Sequence, residues 1–176
     1  MTDRLMDMAE ALLSRHYGKY RGTVSDNTDA TGRGRLLVRV PAVMGEAELW
    51  ALPCLPYAGP GVGLFALPPV GANIWVEFEG GNTDFPVWSG CFWADNEAPP
   101  GDVDPAIAFF KTDFATLRID NQAGEILIET SGGARITLSD AEISLEAPKI
   151  SSTANGATTE LTAAGFDALA GALKVV

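Results

Sequence analysis

The sequence predicts an all-β protein in three parts: an N-terminal helix, a small β-barrel and a C-terminal needle built by three copies of the chain. Between Tyr20 and Trp93, about five or six short strands are separated by turns marked with Gly and Pro, a pattern typical of a closed or partly closed barrel. From Thr116 to Ile150, short pairs of apolar residues alternate with polar ones and repeat. Residues 94–107, rich in Pro, Asp and Gly, separate the two patterns.

The composition fits a globular protein of one ordinary domain, or a small domain with an elongated extension. The chain has 176 residues, of which 47% are hydrophobic and 20% are charged. No stretch approaches the roughly 20 apolar residues that cross a bilayer, and the acidic N-terminus lacks the apolar segment of a signal peptide. Cys54 and Cys91 do not make a disulfide framework. We interpret both as small buried hydrophobic residues of a protein made in a reducing cytosol.

The charge disfavours two classes of partner. The formal net charge is −11, and the acidic residues are spread along the chain. A nucleic-acid-binding protein needs a basic track that displaces counterions from phosphates, and the sequence contains none. Attraction to an anionic membrane surface is disfavoured for the same reason. We therefore expect no nucleic-acid partner.

The first part, residues 1–18, contains a predicted helix at residues 2–17. Apolar residues fall on one face of that helix, and acidic residues lie mostly elsewhere. The apolar residues are Leu5, Met8, Leu12 and Leu13. This face either covers the chain's own barrel or docks on a neighbouring subunit, and the sequence does not choose between them.

The predicted barrel occupies residues 19–95. Ile74, Val76 and Phe78 alternate with Trp75 and Glu77, as expected of a half-buried strand. The tryptophans of this region are either stacking platforms for bases, as on some barrels, or core and subunit contacts. Because no basic groove accompanies them, we favour the second interpretation. They are Trp50, Trp75, Trp88 and Trp93.

The repeat at residues 113–176 follows a linker at residues 96–112. Each unit of one strand and one turn buries two side chains, too few to fold alone, so the units must stack or intertwine with others. A single-chain parallel β-helix needs longer coils, whereas three chains wound around one axis each need to supply only part of a core. The residues predicted to form this trimer core are Leu117, Ile119, Ile126, Ile128, Ile136, Leu138, Ile143, Leu145 and Ile150.

The residues between the apolar pairs are polar, as the exterior of such a needle should be. These outward residues are Arg118, Glu125, Glu129, Arg135, Thr137, Ser144, Glu146 and Lys149. The chain ends in a nearly uncharged apolar stretch, for which we predict a packed or capped tip. The residues predicted to contact a tip protein are Ala172, Leu173, Lys174, Val175 and Val176.

Residues 17–45 and 56–93, together with the repeat that follows them, resemble the spike proteins of contractile tails, and the resemblance covers most of residues 17–176. These spike proteins are the phage baseplate assembly protein V group and the VgrG-like spikes of type VI secretion and of extracellular contractile injection systems. The most specific matches are residues 71–81 with residues 85–90, and the strand at residues 34–41. The signature residues are Ile74, Val76, Phe78, Gly80, Gly81, Pro86, Trp88 and Gly90.

The resemblance implies an oligonucleotide/oligosaccharide-binding (OB) barrel followed by a triple-stranded, intertwined β-helix, assembled as a homotrimer. It also implies the central spike of a baseplate in a phage tail, a tailocin or an injection particle, assembled in the bacterial cytoplasm and released in some cases. The implied partners are other copies of the chain, hub or tube proteins at the barrel end and a PAAR-type tip protein at the C-terminus. A target membrane would be met only through mechanical penetration.

Departures from the family pattern refine this expectation. Some relatives carry a lysozyme domain or a hub domain, and this sequence shows neither. Some short spikes hold iron through a His-x-His motif at the tip, but the one histidine here is His16. We therefore expect no metal and no cofactor.

Three classes of function remain from the sequence: a structural spike, an OB module that binds single-stranded nucleic acid or a glycan, and a cell-wall hydrolase remnant. Catalysis would need a nucleophile with a base, paired carboxylates in a cleft or a metal cluster. Glu77 and Glu79 mimic a carboxylate pair, but they alternate with core residues and fit a solvated strand face. We therefore expect a structural spike with no enzymatic activity.

Overall fold

A computed structural model describes residues 13–168 and 173–175. The chain divides into two compact units, Met1–Ala98 and Pro99–Val176. Nearly all regular structure in the described residues is β. Within that part of the chain, no helix is both long and apolar enough to cross a membrane.

The first unit contains a closed five-stranded barrel. Its strands are β1 (Tyr20–Asp26), β2 (Leu36–Arg39), β3 (Glu48–Pro53), β6 (Asn73–Phe78) and β7 (Pro86–Cys91). They are ordered β1-β2-β3-β7-β6, and β6 pairs back to β1. The β3–β7 pair is parallel and the other pairs are antiparallel. This is an OB-like barrel, as the resemblance implied.

Two short elements connect the barrel strands. A helical turn, α1 (Pro41–Met44), follows β2, and a two-stranded hairpin lies between β3 and β6. Its strands are β4 (Ala58–Gly59) and β5 (Val62–Gly63). A 3-10 turn, Glu79–Gly81, follows β6 and leads into the connection to β7.

The barrel core follows from alternation along each strand. Ile74, Val76 and Phe78 point inward from β6, and Trp88 joins them from β7, as the sequence pattern predicts. The Trp88 indole Nε1 donates a hydrogen bond to the carbonyl oxygen of Gly34 at 3.2 Å, so the buried ring has its polar atom satisfied. Besides Pro86, the buried apolar side chains of the described barrel are Val24, Leu36, Val38, Val40, Ala51, Ile74, Val76, Phe78 and Trp88.

Asp29 organises the loop between β1 and β2. Its carboxylate accepts hydrogen bonds from the backbone N–H groups of Thr31, Arg33 and Arg35 and from the Arg35 guanidinium, the shortest at 2.8 Å. The Asp29 side chain is 3% exposed, and the Arg35 guanidinium also lies over the Trp50 ring at 5.2 Å. The hydrogen bonds from Arg35 hold the pKa of the Asp29 carboxyl well below its usual range.

Asp29 should therefore make barrel stability sensitive to acid. A carboxyl whose pKa is depressed in the folded state stabilises the fold above the unfolded pKa of about 4, and this contribution is lost as the pH falls below that value. We expect the thermal unfolding midpoint to drop as the pH is lowered from about 4 to about 2. The Asp29→Asn variant should melt several degrees lower at pH 7 and lose part of that acid sensitivity. Thermal melting followed by tryptophan fluorescence measures the unfolding midpoint at pH 7 and its dependence on pH. If the midpoint of Asp29→Asn depended on pH as the wild type's does, the stabilising role of the Asp29 carboxylate would be contradicted.

Two predictions in the first unit need correction. The helix predicted at residues 2–17 lies mostly outside the described residues. Of its last residues, Leu13 is helical, Ser14 lies in a turn and residues 15–17 have no regular structure, so the helix does not reach Tyr17. The reason is that the backbone at residue 16 bonds to the barrel instead, where His16 N–H donates to the Gly81 carbonyl at 2.9 Å.

The cysteines were predicted to be buried, and both are exposed free thiols. Strand alternation gives the reason for Cys54. β3 buries Ala51, so Cys54 beyond its end lies on the opposite side of the strand. For Cys91 alternation is interrupted, because the β6–β7 register shifts between Trp88 and Cys91, and Cys91 is the last residue of β7. Partial desolvation raises the pKa of the Cys91 thiol.

The second unit consists of two antiparallel sheets. The first has five strands in sequence order: β8 (Ile107–Lys111), β9 (Ala115–Asp120), β10 (Glu125–Thr130), β11 (Arg135–Ser139) and β12 (Ile143–Glu146). The second has β13 (Lys149–Ala154), β14 (Ala157–Thr162), β15 (Gly165–Ala168) and β16 (Leu173–Val175). The stretch Ala147–Pro148 separates β12 from β13.

The strands of these sheets form antiparallel meanders. Each described strand pairs with its neighbours along the sequence. The turns are tight enough to reverse the chain. Asp120 caps the β9–β10 turn by accepting from the N–H groups of Gln122 and Ala123, and Gly133 takes a φ of 86° in the β10–β11 turn.

β8 lies inside the range predicted as a linker, residues 96–112. Strand pairing explains the difference, because β8 lines up with β9 over its whole length, from Ile107 opposite Asp120 to Lys111 opposite Thr116. The Pro- and Asp-rich composition of residues 99–105 concealed the start of the sheet.

Candidate assembly surface

The first sheet of the second unit carries two rows of apolar side chains on one face. Cross-strand partners in an antiparallel ladder project to the same side of a sheet, so the registers define the rows. One row is Phe110, Leu117, Ile128, Ile136 and Leu145; the other is Ala108, Ile119, Ile126, Leu138 and Ile143. We call these residues the apolar face. It contains eight of the nine residues predicted to form the trimer core.

The apolar face is uncovered in the single chain. Its large side chains are between 36% and 71% exposed. In β10 the exposure is inverted relative to an ordinary strand, because Ile126 and Ile128 are exposed while Glu125, Leu127 and Glu129 are half-buried. A soluble single chain would place the isoleucines inward and the glutamates outward. The second unit therefore exposes its apolar side chains to solvent until another surface covers them.

The second unit also lacks a core of its own. Among residues 99–168 and 173, the one buried residue is Thr116, which is polar and 8% exposed. Hydrogen bonds alone do not stabilise such a sheet, since each replaces one to water. The net contribution of about 1 kcal/mol per bond is cancelled by the roughly 1–2 kcal/mol of conformational entropy lost for each ordered residue. Covering the apolar face contributes a stabilising free energy on the order of 1 kcal/mol for each Leu or Ile that it buries, which sums to on the order of 10 kcal/mol per chain.

The opposite face of the same sheet is polar and carries ion pairs. Arg118 pairs with Asp120 at 2.9 Å and with Asp102 at 3.5 Å, and Arg135 pairs with Glu146 at 3.6 Å. These pairs suit a solvent-facing wall, where each contributes little to stability. The predicted outward residues of this sheet share this face: Arg118, Glu125, Glu129, Arg135, Thr137, Ser144 and Glu146.

The second sheet repeats the two-faced pattern with smaller side chains. Ile150, the ninth predicted core residue, lies opposite Leu161, which lies opposite Phe166. On the other face, Lys149 pairs with Glu160 at 2.9 Å. Thus Lys149, the last predicted outward residue, is on the polar side and Ile150 is on the apolar side.

The residues predicted to contact a tip protein are only partly described. Leu173, Lys174 and Val175 form β16, which pairs with β15, and the Leu173 side chain is 58% exposed. Ala172 and Val176 lie outside the described residues.

Sequence reasoning missed several residues of these apolar surfaces. Ala108 and Phe110 of β8, and Leu161 and Phe166 of the second sheet, extend the rows in register. A signal was available for β8, because Ala108 and Phe110 alternate with Phe109 and Lys111. It was obscured because Phe109 is also large and apolar.

The groups considered for chemistry on the barrel are engaged in ordinary surface contacts. Glu77 forms an ion pair with Lys19 at 2.9 Å. Trp75 packs against Phe92 at 4.7 Å, and the Arg21 guanidinium lies over both rings. Residues 13–168 and 173–175 contain no group of three or more His, Cys, Asp or Glu side chains arranged to hold a metal ion.

The barrel signature residues come together around β6, the turn after it and β7. Pro86 and Gly81 are buried with the core residues of these strands. Gly80, Gly81 and Gly90 take φ values of 56°, 75° and 137°, which favour glycine. These positions therefore shape the barrel.

Comparison with known proteins matches the barrel to one family. Residues 20–93 match the family described as the type VI secretion system/phage-baseplate injector OB domain. The matched span runs from the first strand of the barrel to just beyond its last. No curated protein matches the chain.

Proposed function

We propose that the chain is the central spike of a contractile baseplate. The proposal takes residues 20–93 as an OB domain of the type VI secretion system/phage-baseplate injector family, and therefore the chain as a structural component of a tail or injection particle. In this proposal three copies assemble through their apolar faces. The observation that carries it is the two-row apolar face, which is continuous across five strands and exposed in the single chain.

The width of the apolar face supports three chains. Only two side chains per strand project to this face, and side chains at i and i+2 are about 7 Å apart. Three such strips, each forming one wall of a prism, enclose an interior that their own side chains fill. Two strips packed as a sandwich would leave both sides of a narrow core open to water. Each wall is hydrogen-bonded within its own chain, so the needle is a trimer of meanders in place of an intertwined helix.

Such a prism suits a mechanical role. Its outer walls carry the polar face with Arg118, Glu129 and Arg135, so it remains soluble without further cover. Bending or separating the walls would expose three apolar faces to water at once. A shaft of this kind resists deformation while sheath contraction drives it through an envelope.

The barrel and the chain end are the proposed contact points with other proteins. We assign hub and tube contacts to the OB barrel, because that domain defines the injector family. We assign a PAAR-type tip protein to the end of the second sheet, where Leu173 is exposed. The proposal includes no enzymatic activity, in keeping with a family of structural baseplate components.

A particle assay tests this role. In a producing strain from which this gene has been deleted, we expect no particles with complete baseplates, and wild-type chain supplied from a plasmid should restore them. Complete, active particles formed without the chain would contradict the proposal. A blank peptidoglycan zymogram and the absence of a salt-dependent gel shift with single-stranded DNA would separate the spike from the hydrolase and OB-binding alternatives.

A further inference from the structure

A short segment ahead of the barrel is held against the turn between β6 and β7. We call residues 15–17 the N-terminal strap. The His16 backbone N–H donates to the Gly81 carbonyl at 2.9 Å, and Arg15 Nη1 donates to the Gly80 carbonyl at 3.3 Å. Two carbonyl groups of one turn thus hold the strap. Arg15 and Gly80, the residues of one of these contacts, are 65 residues apart in the sequence.

Aromatic contacts add to this attachment. The His16 ring lies edge-on to Tyr20 at 5.9 Å and to Phe78 at 6.3 Å, and Tyr20 lies 5.7 Å from Phe78. Tyr20 Oη donates to the Tyr17 carbonyl at 3.2 Å. Because Phe78 belongs to the barrel core, the strap continues the core at this end of the barrel.

Gly81 permits the close approach. A Cβ at this position would lie 3.0 Å from both the Arg15 Cβ and the His16 N, and 3.2 Å from Tyr17 Cε1. Distances this short are tighter than almost all real Cβ contacts, so a side chain there would push the strap away. Gly80 has a similar backbone, with a φ of 56° against 75°, but a Cβ there would meet nothing within 4 Å. Only one of the two glycines is therefore required for space.

From these contacts we propose that the turn at Gly80 and Gly81 is a docking site for the N-terminal strap. The occupant is this chain's own residues 15–17, and docking fixes the position of the chain immediately ahead of β1. Gly18 joins the strap to β1 with a φ of 91°, and a Cβ there would meet no atom within 4 Å. This inference does not rest on the spike role.

The glycine pair gives a matched test in the full-length chain. Both Gly80→Ala and Gly81→Ala put a side chain on a left-handed backbone, but only the second collides with the strap. We expect trypsin to cleave after Arg15 ~10-fold faster in Gly81→Ala than in Gly80→Ala or the wild type, because proteolysis follows local opening. Amide exchange at His16, measured by mass spectrometry, should accelerate in parallel.

Equal cleavage after Arg15 in Gly81→Ala and Gly80→Ala would overturn the proposal. Tryptophan fluorescence confirms that the barrel is folded in each variant. His16→Phe gives a second test that does not alter the turn. His16 Nδ1 is buried without a hydrogen-bond partner, so an apolar ring should keep the strap docked. Faster cleavage in His16→Phe would contradict docking through ring packing.

Discussion

The Ile128→Asp and Leu138→Asp variants are expected to lose the trimer completely. Ile128 sits in register between Leu117 and Ile136 at the centre of the apolar face, and Leu138 lies between Ile126 and Ile143. In the proposed prism, either substitution places three carboxylates near one axis with no cationic partner. Burying an unpaired charge costs several kcal/mol in each chain. Together with the lost burial of the apolar side chain and the mutual repulsion of the three carboxylates, this offsets a large part of the roughly 10 kcal/mol per chain that covering the face provides.

Thr137→Asp is the matched control, because Thr137 is adjacent to Leu138 but lies on the polar face between Leu127 and Ser144. It should assemble like the wild type. Size-exclusion chromatography with light scattering and unboiled SDS gels measure assembly for the three variants. Soluble, SDS-resistant trimers of Ile128→Asp or Leu138→Asp would contradict the assignment of the apolar face to the trimer core.

The Ile74→Ala variant is expected to destabilise the barrel by about 3–4 kcal/mol and to leave the trimer intact. Ile74 is completely buried among the barrel strands, and truncating a large aliphatic side chain in a core removes its packing and leaves a cavity. The apolar face belongs to the other compact unit, so the forces that hold three chains together should not change. The variant therefore separates barrel stability from assembly.

Tryptophan fluorescence reports the barrel selectively, because all four tryptophans precede Pro99. A urea titration followed by tryptophan fluorescence should show the lower free energy of unfolding of the barrel in Ile74→Ala. Leu52→Ala removes a side chain that is already 37% exposed and should cost less than about 1 kcal/mol. Loss of the trimer in Ile74→Ala under conditions where the barrel remains folded would show that assembly depends on the barrel.

The sequence predicted the barrel well because its strands are half-buried. Alternation of Ile74, Val76 and Phe78 with Trp75 and Glu77 determines which side faces the core, and the structure buries the expected members. In the repeat, the apolar pairs also lie on one face, since a period of two sends both members of a pair to the same side of any strand. Face assignment is a local property that sequence can provide.

Pairing and burial were harder to predict because they depend on distant contacts. The pattern of Ile126 and Ile128 is the same whether β10 pairs within its chain or across chains, so alternation alone could not predict the hairpins at the Asp120 and Gly133 turns. The cysteines were assigned by residue type, although the position of Cys54 relative to Ala51 predicted exposure. The register shift before Cys91 could not be foreseen. The strap could not be foreseen, because its contact with Gly81 joins distant parts of the sequence.

The mass of the purified wild-type chain in solution tests the central claim most directly. Multi-angle light scattering during size-exclusion chromatography should give one species of three times the 18.5 kDa of a single chain, unchanged on dilution into the low micromolar range. A stable monomer would leave the apolar face exposed to water and would contradict the trimer and the spike together. A stable dimer would show that two apolar faces are enough to cover each other, and would contradict the three-walled needle.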